Sequence, residues 1–477
     1  MSSGVRIAGM LIMLVVLGAG AVGAQQPQEL PELTLPEAIA MALKFSPEVK
    51  ASQSEVDVAQ AQKDEVHGYR LPQFDMVGVG GPAPDVRKPE IRGDGIYWPD
   101  TKHDLHGLTI FGRLEIALVQ PLYTFGKIVH RERAAENYVQ VKRAEVDTKR
   151  AEVILQVAEA YYGLVLAQQG KDAVQDARDY LSDARQRVER LLALQSPSVK
   201  DTDPYRLALY EGSLEKFAAQ VEEGTKVAYR ALKALIGYQP DQDFRVPLDL
   251  PEPAPAPLKL DFYIKQALEL RPEFTMLKHG KAARELLVKG AKAEFYPDLF
   301  FAIVGTLAGS PERYSDPDPI HEDLTNWYGI GPVVGVRWHF DFGITKAKLN
   351  KARAELEKLQ HQECQALMGI PIEVARAYGK VQENYKGSQG MGKAYVNARR
   401  WLITAFSNFD MGLGKMEDIF QAFERYGVAR GDYLMALFDY NLAVTKLDKA
   451  TGAYRLAQPG RELPPEKKPK EAKPPAG

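Results

Sequence analysis

The chain has 477 residues, 61 Lys+Arg against 63 Asp+Glu for a formal net charge of −2, one cysteine and 45% hydrophobic residues. That composition excludes a disordered or collagen-like chain, and balanced charge lacks the clustered Lys and Arg that phosphate neutralisation requires, so no nucleic-acid partner is expected. The single cysteine, Cys364, excludes an intramolecular disulfide framework and a cysteine-built zinc site.

Arg6 precedes an apolar run over 7–17 and the small residues Val22, Gly23 and Ala24. This pattern predicts a signal peptide over 1–24, cut before Gln25, with an uncleaved anchor as the alternative. No cysteine lies near the cut, so a lipid anchor at the new N-terminus is not expected. Beyond Ala24 no stretch approaches the roughly 18–20 apolar residues of a membrane-spanning helix. What remains is a soluble protein or a β-barrel of short alternating strands.

An internal repeat organises the rest. Residues 33–72 align with 258–297 without a gap, so that Leu43, Pro47 and Glu48 fall on Leu268, Pro272 and Glu273. Further on, Tyr123-Thr124-Phe125-Gly126 matches Phe340-Asp341-Phe342-Gly343, Ala160-Tyr161 matches Ala377-Tyr378, and Asp203 and Gly237 match Asp418 and Gly452. The chain is thus divided into copies at 25–239 and 258–457. Prolines at 240, 247, 251, 253, 255 and 257 predict an extended connector over 240–257, and the Pro/Lys-rich stretch 458–477 predicts a disordered tail.

Each copy opens with a short amphipathic helix, 36–45 in the first, stopped before Pro47, and a second helix running to about Gly68. The period then changes to two. Residues 74–80 and 108–123 read as strands in the first copy, and 299–307 and 328–342 in the second. Leu108, Ile110, Leu114, Ile116 and Leu118 alternate against Thr109, Arg113 and Glu115; Ile330, Val334, Val336, Trp338 and Phe340 alternate against Gly331, Gly335, Arg337 and His339. Polar loops over about 81–107 and 308–326 join each strand pair. Four half-apolar strands cannot close a barrel, so the barrel must be shared with further copies of the chain. One conflict stands in the sequence: by the repeat alignment Ile116 and Leu118 fall on Val333 and Gly335, not on the Val334/Val336 row, and either a bulge or a shifted lipid boundary accounts for it.

No proline occurs between Pro121 and Pro197, which predicts one helix from about Lys127 to Leu194, roughly 100 Å long. Val174, Ala177, Leu181, Ala184, Val188 and Leu191 follow heptad spacing, while upstream two neighbouring apolar rows imply helices packed on both sides, as in a wall. The return helix turns Leu214, Phe217, Val221, Ala228, Leu232 and Leu235 inward. In the second copy the long helix covers about 344–409, with a kink or break expected at Gly369/Pro371, and the chain turns at Met411-Gly412-Leu413-Gly414.

These features together resemble the TolC-like outer-membrane efflux proteins. The resemblance rests on the duplicated opening (Leu33, Leu35, Ala38, Ile39, Ala42 and Leu43; Leu258, Leu260, Ala267 and Leu268), on Gln120 to Gly126, and on the Gly-Leu-Gly turn followed by Asp418. It implies an α+β membrane protein that trimerises into a 12-stranded outer-membrane β-barrel above a 12-helix periplasmic α-barrel. It also implies a passive exit duct in the outer membrane of a Gram-negative bacterium. The expected partners are two further copies of the chain, outer-membrane lipid, a periplasmic adaptor and an inner-membrane RND, ABC or MFS transporter, serving drug efflux or type I secretion; no cofactor is implied. In this family the helix-turn-helix tips meet the adaptor, which nominates Gly412, Leu413 and Gly414, and in the first copy Leu194, Gln195 and Ser196. The first tip departs from the family pattern, because it lacks the Gly-Leu pair and its loop to Asp203 is about two residues longer.

Each nominated residue has a plainer alternative. Asp418 either contributes to a carboxylate ring at a periplasmic constriction or caps its helix; Glu417, Asp201 and Asp203 are the other constriction candidates. Leu413 is either an exposed docking knob or packed within its own turn. Arg113, Glu115, Arg337 and His339 carry the parity of barrel-lumen residues. His103 and His106 have spacing for a metal but no further clear ligands, and Cys364 is read as a packing residue. No catalytic motif occurs, so no enzymatic activity is expected; the competing function is a periplasmic coiled-coil scaffold without a pore.

Overall fold

The computed structural model describes residues 30–84, 90–97, 107–239, 241–256, 258–311, 313–314 and 323–455. The predicted signal peptide, the tail over 458–477 and the His103/His106 pair lie outside the described residues.

Two sets of elements of nearly equal length follow one another. The first comprises α1 (Leu35–Phe45), α2 (Pro47–Gly68), β1 (Gln73–Pro84), a small hairpin of β2 (Glu90–Arg92) and β3 (Gly95–Tyr97), β4 (Leu108–Tyr123), α3 (Lys127–Ala193) and α4 (Asp203–Ile236). The second comprises α5 (Leu260–Leu270), α6 (Pro272–Ala293), β5 (Asp298–Gly309), β6 (Tyr328–Arg337), α7 (Ile344–Asp410) and α8 (Met416–Thr451). Local chemistry sets the helix boundaries. Pro47 and Pro272 occupy first-turn positions, where no backbone donor is needed. Ser46 Oγ accepts the Val49 N–H at 3.4 Å, and Glu37 Oε2 accepts the Thr34 N–H at 2.9 Å.

The long helices α3 and α7 have 67 residues each and run unbroken. Pro371 lies inside α7, so the expected break there is corrected. Its flanks explain the continuity: Ile370 and Val374 are buried against Ala267 and Ala450, with Phe274 beside them, and that packing holds the helix across one missing hydrogen bond. Two tiers of shorter helices line the long ones. Away from the hairpin tips, α2 and α6 flank α3, and α6 also packs on α7; toward the tips α4 and α8 flank α3, and α8 packs on α7. Buried and half-buried residues of α3 include the whole heptad row from Val174 to Leu191, and its upstream part is buried on two sides at Val153, Val157, Ala158, Tyr161, Tyr162 and Leu164. This is the wall arrangement that two apolar rows require.

Above the helices β1, β4, β5 and β6 form one antiparallel sheet in the order β1-β4-β5-β6. Prolines fall where the ladder tolerates them, on the edge strands (Pro82, Pro84, Pro332) and at a register shift (Pro121). The last strand stops at Arg337, five residues short of the expected 328–342. Its neighbour, β5, begins at Asp298 directly after Pro297, so among the described residues Trp338 and those after it have no strand to pair with. The Trp338 indole instead donates to the Phe295 carbonyl at 3.2 Å. Strand and helix join through Phe125 and Gly126, both at positive φ (50° and 88°). The His130 ring lies where a Cβ on Gly126 would sit, so the first copy of the aromatic-Gly motif marks a junction that only glycine fits closely.

Candidate functional site: a two-faced sheet and a paired helical tip

Cross-strand pairing decides which side chains share a face, because directly paired residues point the same way. Ile116 pairs with Gly305 and Gly305 with Ile330; Leu118 pairs with Ile303 and Ile303 with Pro332. Side chains confirm this register, since a Cβ built on Gly305 would lie 3.0 Å from Ile116 Cγ1 and 3.3 Å from Ile330 Cγ1. One face therefore carries Phe74, Met76, Leu114, Ile116, Leu118, Ile330, Val334 and Val336. The conflict in the repeat alignment is resolved by a bulge: between Pro121 and Tyr123 the ladder advances two residues on β4 for one on β5, and Leu122 is the odd residue that reverses the parity.

The opposite face is mixed: it holds every charged residue of the four strands, Asp75, Arg113, Glu115, Asp298 and Arg337, with Arg113 and Glu115 ion-paired to each other, interspersed with Val77, Val119, Phe300, Val304 and Val333. Three of the four residues nominated for a lumen thus share this charged face, Arg113 and Glu115 opposite the end of β5 and Arg337 opposite its start. His339 does not join them; it lies past the end of β6, where no sheet sets its direction.

At the far end of the helices the two hairpin turns share one core. Leu181, Ala184 and Val188 of α3, Val199 of the first turn, Leu207 of α4, Leu402 and Phe409 of α7, and Met416, Ile419 and Phe420 of α8 are buried together. Close to the turns two ion pairs cross between the hairpins. Arg187 Nε donates to Asp410 Oδ1 at 2.9 Å, and Arg206 Nη2 donates to Glu417 Oε1 at 3.0 Å. Each guanidinium also lies over a ring, Arg187 at 5.0 Å from the Phe406 centroid and Arg206 at 4.9 Å from that of Phe420. Arg206 holds the Glu417 carboxyl below the ordinary glutamate range. The stabilisation from that pair is therefore complete above the ordinary range and fades only as pH falls through the lowered value. Deeper in the wall, burial pushes the Tyr426 hydroxyl up to about 12, and it accepts from Arg430 Nη1 at 3.1 Å while Arg430 also pairs with Asp176.

The carboxylates nominated for a constriction divide three ways. Asp203 is only 3% exposed and accepts the Lys200 N–H at 2.8 Å, so it is turned into its own loop rather than outward. Glu417 is engaged by Arg206. Asp201 and Asp418 are exposed, and Asp418 accepts the Lys415 N–H at 3.1 Å, which makes it a helix cap that still has solvent access. At the second turn Gly412 has φ 75°, Asn408 O accepts the Leu413 and Gly414 N–H groups at 2.9 and 3.1 Å, and the Leu413 side chain is 80% exposed. The first turn carries Gln195 at φ 50°, half-buried Ser196, and Leu194 at 70% exposure.

Arg187, Arg206 and Asp410 were not visible as site residues in the sequence. Their partners lie 223 and 211 residues away, and no local spacing rule reaches that far. Among the described residues no group of three or more His, Cys, Asp or Glu is placed to hold a metal ion, and no helix is long and apolar enough to cross a membrane.

No protein-family model and no curated protein matches the chain. Solved structures do. The outer membrane protein VceC from Vibrio cholerae superposes at a TM-score of 0.69 with 19% identity, covering 88% of this chain and 96% of that one. The CmeC outer membrane channel of Campylobacter jejuni gives 0.68 at 16% identity, covering 92% and 94%, and the MtrE outer membrane channel of Neisseria gonorrhoeae, solved in its open state, gives 0.67 at 18%, covering 88% of each chain. Over nearly its whole described length, this chain has the fold of the TolC-like outer-membrane channels.

Proposed function

We propose that three copies of the chain assemble into an outer-membrane channel-tunnel, a passive duct with twelve strands in one β-barrel and twelve helices in the periplasmic wall. The observation that carries this reading is the sheet. Among the described residues it has four strands, two unpaired edges at β1 and β6, one face without charged side chains and one that carries them all. An isolated sheet of this kind exposes unsatisfied backbone groups and apolar side chains, and closing a ring with further copies removes both edges at once. The uncharged face then meets lipid and the charged face a water-filled lumen. Association of the helical wall is favoured in the same way, because its outer members also carry exposed apolar residues: Tyr205, Leu209 and Phe217 on α4, and Met368, Ile372 and Ile403 on α7.

In this reading the tips dock a periplasmic adaptor, which links the duct to an inner-membrane RND, ABC or MFS transporter for efflux or type I secretion. Gly412, Leu413 and Gly414 supply the principal contact, with Leu194, Gln195 and Ser196 beside it. Asp418 and Asp201 line the constriction, and the Arg206–Glu417 and Arg187–Asp410 pairs hold it shut. The duct carries out no chemical step. Membrane fractionation, mass measurement in detergent and planar-bilayer recording test the proposal together. A trimer recovered from the outer membrane with discrete single-channel steps is expected. A monomer confined to the soluble periplasm, without conductance, overturns the proposal in favour of a scaffold.

A further inference from the structure

At the junction between sheet and helices a cavity of about 500 Å³ opens on the charged face. Strands β4, β5 and β6 form one side, and the end of α2 with the first turns of α3 forms the other. Three cations reach it: Lys127, Arg131 and Arg337. Two of them are committed. Lys127 Nζ donates to Asp298 Oδ1 at 2.8 Å and to the Tyr296 carbonyl at 2.7 Å, and Arg131 is paired with Glu294.

Arg337 is different. Asp298 is its direct cross-strand partner, yet that carboxylate is turned to Lys127, and among the described residues of the single chain no carboxylate pairs with Arg337. Its guanidinium lies instead 5.3 Å from the Phe300 ring centroid. The same ring covers Gly335, where any Cβ would come within 2.5 Å of it, so the absence of a side chain at 335 lets Phe300 lie flat against β6 beside Arg337. Counting Lys127, Arg131 and Arg337 against Asp298 and Glu294 leaves one positive charge in excess. The remaining lining is mostly apolar, with the Tyr69 ring and the Thr124 hydroxyl at its margin.

We propose that this cavity binds amphiphilic organic anions, molecules with a flat apolar body and one carboxylate or sulfonate. A guanidinium offers such a group paired N–H donors, and the ring and apolar walls take the body. A volume of this size lies within the range that holds a drug-sized molecule. A cation meets the excess positive charge, and a neutral analogue leaves Arg337 unpaired. The inference rests on the channel reading above, because it takes the charged face for the lumen; the site would then recur in each protomer, just inside the barrel.

The test uses the full-length protein in planar bilayers, with naphthalene-2-sulfonate as probe and 2-naphthalenemethanol as its uncharged counterpart, each added on the barrel side. The sulfonate is expected to block current at a concentration about tenfold lower than the alcohol, and Arg337→Gln to weaken sulfonate block about tenfold while leaving block by the alcohol unchanged, each read as a fraction of that protein's own open current. Arg337→Lys keeps the charge but not the plane and is expected to fall between them, which also separates loss of the site from loss of folding. Equal block of wild type and Arg337→Gln, or equal block by sulfonate and alcohol, overturns the proposal. If wild-type protein gives no conductance, it is the channel reading that fails. Calorimetric titration of naphthalene-2-sulfonate into wild type and Arg337→Gln in detergent then decides the site, equal affinity overturning it.

Discussion

The two hairpin turns at the tip perform the same task with different chemistry. The second turn spans the few residues between Asp410 and Met416, reverses at a glycine with φ 75° and leaves Leu413 almost free of protein contact. The first is longer, reverses at Gln195 with φ 50°, inserts Val199 into the core and buries Asp203 as its own cap. Both turns project a leucine, Leu413 and Leu194, but only the first also anchors itself in the core. They nevertheless share a single core and two cross-hairpin ion pairs, so the comparison separates what each turn offers a partner from what holds both in place.

The largest expected effect comes from breaking the shared core. Phe420 is 1% exposed, lies 5.7 Å from the Tyr210 ring of the first hairpin and sits under the Arg206 guanidinium. Phe420→Ala is expected to cost about 3–5 kcal/mol locally and to open both turns to protease together. Limited proteolysis with mass mapping of the cut sites reads this directly. Cleavage confined to the second turn would mean that the hairpins are separate units. Next in size is docking. Leu413→Asp is expected to weaken adaptor binding about tenfold, or roughly 1.4 kcal/mol, whereas Leu194→Asp changes it about threefold or less. Interferometry with the adaptor captured by tip cross-linking provides the measurement, and equal losses would remove the distinction between an unanchored and an anchored turn.

Much of this architecture was legible in the sequence because it depends on local rules. The absence of proline from 122 to 196 predicts α3 to within a residue at either end, and heptad spacing from Val174 to Leu191 identifies its buried face. Alternation located the four main strands. What stayed hidden depends on partners. The end of β6 is set by where β5 begins, the parity of the two strand pairs by one bulged residue at Leu122, and the continuity of α7 through Pro371 by Ile370 and Val374 packing on α5 and α8. The tip ion pairs join residues more than 200 positions apart. The division of Asp203, Glu417 and Asp418 into buried cap, ion-pair partner and exposed cap has the same origin. All three look alike as acidic residues opening a helix; the neighbouring hairpin's Arg206 sets Glu417 apart, and burial under its own loop sets Asp203 apart from Asp418.

The smallest effects test the turns themselves, through residue 195 and residue 412. A left-handed backbone costs a residue with a Cβ about 1–2 kcal/mol relative to glycine, while glycine costs about 0.4–1 kcal/mol through the greater freedom of the unfolded chain. At Gly412 a Cβ would meet nothing within 4 Å, so Gly412→Ala measures the backbone term alone. It is expected to destabilise the second turn by about 0.5–1 kcal/mol. Gln195→Gly relieves the same conformation at the first turn and is expected to stabilise it by a similar amount. Hydrogen exchange of the amides flanking each turn should therefore speed up a few-fold in one variant and slow down in the other. Changes of the same sign would show that Gln195 holds its conformation through side-chain contacts rather than against strain. The first turn would then be built around that residue, as the second is built around its glycine.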